Sequence, residues 1–188
     1  MFRKLEIRFG GMLLLSLMVF ILDGSMLVAL WGNIVIHEWG HLYMLRRYGV
    51  YIRKITLDFT GLCIVCNREY LSRRRKFICA AAGPFVGISV SVLSSILGNV
   101  LRSDFLLLYA GVGVILSVFN LLPIKPLDGG QMLESIAPKF VQPVGAFCSA
   151  CVLLFGLYVM YLGYGTGLAI LGVFLLFRVD RDVGKHRM

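Results

Sequence analysis

Charge is scarce in this chain: Asp, Glu, Lys and Arg make up 15% of its 188 residues, against 59% for the hydrophobic types. A soluble domain carries about a quarter of its residues charged, so that class is excluded and a polytopic membrane protein remains. Histidine is rarer still, with three in the chain, which makes their positions informative. The five cysteines lie in or beside apolar segments, which excludes a secreted disulfide framework. Acidic residues number 10 against 19 basic ones. In a soluble chain the formal charge of +9 would point to nucleic acid. Here it asks instead on which side of a bilayer the positive residues fall, and no nucleic-acid partner is expected. Internal repeats, low-complexity tracts and room for a separate soluble domain are also lacking, so residues 1–188 read as a single membrane-embedded domain.

What is present is a series of apolar segments, at 9–22, 25–45, 77–98, 105–122, 141–162 and 164–177. A span takes about 20 residues, so the first and last are short. Positions 141–177 hold no charge over 37 residues. As one helix they would run about 55 Å, nearly twice the hydrocarbon thickness. The chain must therefore turn back, and Gly163-Tyr164-Gly165-Thr166-Gly167 is the place for it. The expected fold is all-α and polytopic, with about six transmembrane helices and 25–45, 77–98 and 105–122 as the core spans.

The basic residues orient it. With Arg3, Lys4 and Arg8 in the cytoplasm, six crossings put eighteen of the nineteen Lys and Arg residues inside, in keeping with the positive-inside rule. Arg102, with Asp104 in its loop, is the exception. Both termini are then cytoplasmic. The basic start before Met12 imitates a signal peptide, but no small-x-small site precedes the next apolar run, so an uncleaved first span is expected. Arg73-Arg74-Arg75-Lys76 reads as an anchor to anionic lipid headgroups. Residues 51–66, rich in β-branched and aromatic types with Gly61 as a bend, read as a short β-like stretch at the cytoplasmic interface. It is either an ordered loop or an open edge that accepts an extended peptide.

The chemistry concentrates in His37-Glu38-Trp39-Gly40-His41. Four residues apart on a helix, the two imidazoles lie about 40° from each other on one face. They can share a tetrahedral Zn²⁺, while Glu38 can take a proton from water at that metal. From Ser25 to Leu45 no other charge and no other histidine occurs. An ionisable group in a bilayer costs about 2.5–3.5 kcal/mol on insertion scales, so three in one span need a reason. A catalytic zinc usually has three protein ligands. His186 sits in the basic tail and is not suited. In Asn120-Leu121-Leu122-Pro123-Ile124-Lys125-Pro126-Leu127-Asp128-Gly129-Gly130 the prolines end a helix and the glycines permit a tight backbone beside a metal. Asp128 is the candidate third ligand; its other reading is a helix-capping Asp before Gln131. Counted back from Arg46, His41 and His37 lie about 7 and 13 Å inside the cytoplasmic end of the second span. The fourth span ends on that same side.

The HEWGH run, Ala80-Ala81-Ala82-Gly83-Pro84 in the third segment and NLLPIKPLDGG after the fourth together resemble the site-2 protease family of intramembrane zinc metalloproteases. The likeness covers roughly residues 30–135 and is nearest to the bacterial stage IV sporulation protein FB branch. It implies one Zn²⁺ per chain with His37, His41 and Asp128 as ligands and Glu38 as the catalytic base. It gives Asn120 a role in holding substrate or the oxyanion, and Phe59 and Gly61 a place in a strand beside the cleft. It further implies a bacterial cell membrane, a membrane-tethered substrate such as a transcription factor precursor, and regulatory membrane partners. The chain departs from that branch in its length: eleven residues follow Phe177, so neither a C-terminal regulatory domain nor a PDZ insertion is expected. Two rivals stay open. One is a non-catalytic metal-binding membrane protein, in which Cys63, Cys66, Cys148 and Cys151 make a zinc site. The other is a transporter, although no inverted repeat is evident.

Overall fold

The structure is a computed structural model, and it describes residues 5–7, 9–58, 61–66, 71–163 and 165–185. The chain divides into two compact units, Met1–Phe119 and Asn120–Met188.

In the first unit, strand β1 (Leu5–Ile7) precedes helices α1 (Phe9–Ile21) and α2 (Gly24–Arg47). Strands β2 (Ile52–Asp58) and β3 (Gly61–Cys66) follow, then α3 (Arg73–Leu101) and α4 (Asp104–Asn120). β2 pairs antiparallel with β3, Asp58 standing opposite Gly61, and β1 adds to β2 in parallel. Asp23 caps α2, its carboxylate accepting from the Met26 N–H at 3.4 Å and from the Ser25 hydroxyl. At the other end of that helix Leu45 packs with Leu71 and Cys79, which ties the exit of α2 to the entry of α3.

Small residues decide how α2, α3 and α4 pack. The buried side of α3 carries Ala80, Gly83, Gly87, Ser91, Ser94 and Gly98, spaced three or four apart as one helical stripe demands. Its exposed side carries Phe85, Val92, Leu93, Ile96 and Val100. Large apolar groups outside and small groups inside is the pattern of helices that meet lipid and approach one another closely. α2 has a matching stripe in Ala29, Asn33, His37, Gly40, His41 and Leu45, and α4 one in Ala110, Gly113 and Ser117. Contact is tight enough that a Cβ on Gly40 would lie 2.7 Å from the Ala82 carbonyl oxygen. Asn33 fastens the third helix, its Nδ2 donating to the Ala29 carbonyl at 2.9 Å and to the Tyr109 carbonyl at 3.0 Å.

In the second unit a short helix α5 (Asp128–Ile136) leads through a single turn, Pro138–Phe140, into α6 (Val141–Tyr161) and α7 (Gly167–Lys185). α6 and α7 form an antiparallel hairpin. A Cβ on Gly156 would lie 2.4 Å from the Ala169 nitrogen, and one on Gly172 would lie 2.5 Å from the Leu153 Cα. Gly163 and Gly165, both at positive φ (83° and 111°), make the reversal.

Two helices are long and apolar enough to cross a membrane, Arg73–Leu101 and Pro138–Tyr161. The fourth and last apolar segments form shorter helices, Asp104–Asn120 and Gly167–Phe177. α2 has the length, but Asn33, His37, Glu38 and His41 lower its hydropathy. Of the six expected spans, these two meet the length and apolarity of a crossing among the described residues. α3 continues through Pro84 as one helix.

Candidate metal centre

His37 and His41 are both buried in the α2 stripe, 4% and 6% exposed. Their rings meet edge to face, centroids 4.9 Å apart, and their Nε2 atoms stand 3.2 Å from each other. The Nδ1 of His41 lies 2.8 Å from the Cys79 carbonyl oxygen. A carbonyl only accepts, so Nδ1 carries the hydrogen and Nε2 presents a bare lone pair toward His37. Backbone support of this kind fixes the ring and its tautomer in metal-binding histidines.

Gly83 makes room for that ring. A Cβ there would lie 2.2 Å from His41 Nε2, 2.6 Å from Cε1 and 2.8 Å from Cδ2. The AAAGP run therefore serves two ends: its small residues bring α3 against α2, and Gly83 cradles the imidazole. Glu38, next in sequence to His37, is half-buried. Trp39 and Tyr43 stack with centroids 5.7 Å apart on the exposed side of α2.

In the second unit the loop after Asn120 folds onto the first turn of α5. A Cβ on Gly129 would lie 2.0 Å from the Leu121 carbonyl oxygen, and one on Gly130 would lie 2.6 Å from the Ile124 carbonyl carbon. Only glycine fits at either place. Asp128 is the first residue of α5 and is buried, 8% exposed, while Leu127 takes the N-cap position. A buried carboxylate needs hydrogen bonds or a cation.

His37 and His41 in the first unit, and Asp128 in the second, each offer one buried atom of the kind that ligates a metal ion. The donor set fits zinc: two imidazole nitrogens sharing one tetrahedral Zn²⁺ stand about 3.3 Å apart, and the histidine pair is separated by 3.2 Å. A neutral N–H···N bond gives a similar spacing. Cys148 is half-buried and Cys151 exposed on α6, and the side chains of Cys63 and Cys66 are not among those described. Asn120 is half-buried at the last position of α4. Gly61 opens β3, while Phe59 and His186 lie outside the described residues.

Sequence reasoning missed three contributors: the Cys79 carbonyl, the cradle at Gly83 and the interhelical bond of Asn33. Asn33 was within reach, because it stands one turn before His37 on the same face. A backbone carbonyl leaves no mark in a sequence.

Comparison with known proteins agrees with this class of site. The profile of Peptidase family M50 matches residues 99–163. The zinc metalloprotease MJ0392 of Methanocaldococcus jannaschii is 27% identical over 169 residues, 82% of this chain and 48% of that protein. The putative zinc metalloprotease sll0528 of Synechocystis is 31% identical over 112 residues, covering 57% of this chain and 30% of that protein. This chain thus spans about half or less of the length of these relatives. A solved site-2 protease from Methanocaldococcus jannaschii shares the fold, with a TM-score of 0.69, 24% identity, and coverage of 94% of this chain and 89% of that one. Part of this chain is thus similar to Peptidase family M50, and its relatives include proteins named as zinc metalloproteases.

Proposed function

We propose that this chain is an intramembrane zinc metalloprotease of the site-2 type, hydrolysing a peptide bond within or beside a transmembrane segment of a membrane-tethered substrate. The observation that carries it is the buried histidine pair on an otherwise apolar helix, Nε2 atoms 3.2 Å apart, with one ring held by a backbone carbonyl. Three titratable groups in such a helix are costly unless a cation repays them.

In this reading His37, His41 and Asp128 hold one Zn²⁺. The bound ion supplies Lewis-acid polarisation of the scissile carbonyl and lowers the pKa of water toward about 7. Glu38 takes the proton from the attacking water and passes it to the leaving amine. Asn120 donates a hydrogen bond to the developing oxyanion. A helical substrate hides its scissile carbonyl, so it must unwind locally, and each exposed backbone group costs several kcal/mol in lipid. Substrates with helix-weakening residues are therefore preferred. They are presented as a strand to the β2–β3 edge, around Phe59 and Gly61. The topology has six crossings and cytoplasmic termini in a bacterial cell membrane, with Arg73 to Lys76 on anionic headgroups. The sporulation branch, with a transcription factor precursor as substrate and membrane proteins as regulators, is the finer assignment.

Co-expression with candidate membrane-tethered substrates tests it. Wild type should yield a shortened product, and Glu38→Gln should yield none while still binding stoichiometric zinc. Cleavage by the Gln variant would refute the role of Glu38. A purified wild-type protein without zinc would refute the metal centre.

A further inference from the structure

Serines in these helices have a habit: the hydroxyl turns back to the carbonyl four residues earlier. Ser16, Ser89, Ser91 and Ser149 donate in this way to Met12, Phe85, Gly87 and Gly145. Ser117 on α4 does not. It is buried, 1% exposed, and its Oγ meets no hydrogen-bond partner. A buried hydroxyl that gives up the bond available on its own helix is aimed at something else.

Its target is readable from Gly87 on α3. A Cβ on Gly87 would lie 2.4 Å from Ser117 Oγ and 3.8 Å from His37 Nδ1. The Ser117 hydroxyl thus uses the room left by the missing side chain of Gly87, and the far nitrogen of His37 lies beside the same point. One turn away in the same three-helix seam, the Oδ1 of Asn33 is a second buried acceptor that meets no partner. His37 Nε2 faces His41, so an imidazole that binds metal through Nε2 carries its hydrogen on Nδ1, and that hydrogen needs an acceptor. His41 has the Cys79 carbonyl for this purpose.

We propose that Ser117 is the positioning residue for His37: one water between them, beside Gly87, accepts the Nδ1–H of His37 and donates to Ser117 Oγ. The two ligand rings are then held by different means, one by a backbone carbonyl of α3 and the other by a hydrated hydroxyl of α4. The inference rests on the reading of His37 as a zinc ligand.

The test uses the full chain purified in detergent, with zinc affinity measured by chelator competition. Loss of an outer hydrogen-bond partner typically weakens metal binding about 10–100-fold. That loss is expected in Ser117→Ala and in Gly87→Ala, which takes up the room the hydroxyl uses. Ser117→Thr, which keeps a hydroxyl, should recover most of the affinity. Ser149→Ala serves as the control, because its hydroxyl is already bonded to Gly145. In the zinc-loaded protein labelled with ¹⁵N-histidine, the Nδ1–H proton of His37 should move upfield and exchange faster in Ser117→Ala, while that of His41 stays in place. A merely structural serine would move the unfolding temperature and neither of these signals. Wild type and Ser117→Ala binding zinc equally, with an unmoved His37 resonance, overturns the proposal and leaves the metal centre standing. Wild type binding no zinc overturns both.

Discussion

Gly83→Ala is the sharpest perturbation this fold offers. The added methyl would lie 2.2 Å from the Nε2 of His41 and under 3 Å from two ring carbons, where carbon contacts need about 3.5 Å. Either the ring retreats by about 1 Å or the α2–α3 contact opens. That contact is closed by Gly40 against Ala82, so the ring is the softer element. A retreat of that size breaks the 2.8 Å bond to the Cys79 carbonyl and spoils the 3.2 Å spacing to His37. Losing the carbonyl alone corresponds to about 10–100-fold in zinc affinity, or about 1.4–2.8 kcal/mol. Displacing the ligand itself adds to this. Stability should change less, because overpacking of about 1–3 kcal/mol is offset by up to about 1 kcal/mol of helix propensity gained over glycine. The assay is chelator competition beside thermal unfolding of the zinc-free protein. Gly111→Ala, where a Cβ meets nothing within 4 Å, is the control and should leave zinc binding unchanged. Wild-type zinc affinity in Gly83→Ala would refute the cradle.

Asp128→Asn keeps shape and removes charge, so zinc binding should weaken at least about tenfold, while the α5 turn persists; equal affinity by competition would remove Asp128 from the ligand set. Gly156→Leu pushes a side chain into the Ala169 backbone, 2.4 Å from the position of its Cβ. It should open the α6–α7 hairpin and expose the reversal at Gly163 and Gly165 to protease; unchanged digestion would argue against close packing. Asp23 is held below the usual carboxylate range by the Ser25 hydroxyl and the Met26 N–H. A folded pKa below the unfolded one means its cap stabilises α2 above the unfolded value and fades as pH falls through the folded one. The gap in unfolding temperature between wild type and Asp23→Asn should therefore be present at neutral pH and close in acid; a gap that persists at low pH would contradict the capping role.

Much of the centre was legible because its parts are chemically conspicuous. Histidines four apart in an apolar run mark a helix face and a candidate metal site, and Asp128 followed by two glycines marks a carboxylate on a crowded turn. The helix positions followed from apolarity, but the number of full spans did not. The functional side chains of α2 dilute its hydropathy, and the helices 104–120 and 167–177 are short. The α5 helix escaped as well, since nine residues between two apolar segments carry little periodic signal. Supporting groups were the least visible. Ser117 and Gly87 are ordinary residues in sequence, and only three-dimensional proximity gives them a task.

Both tryptophans of this chain, Trp31 and Trp39, belong to α2. Tryptophan emission, excited at the red edge where tyrosine does not absorb, therefore reports on a single helix, the one bearing the histidines. Trp39 lies between Glu38 and Gly40 and, stacked with Tyr43, turns outward. Brominated acyl chains that reach it would quench its fluorescence, and the depth of the bromine that quenches most gives the immersion of the neighbouring histidine pair. The protein thus carries its own optical ruler for how far below the membrane surface its chemistry takes place.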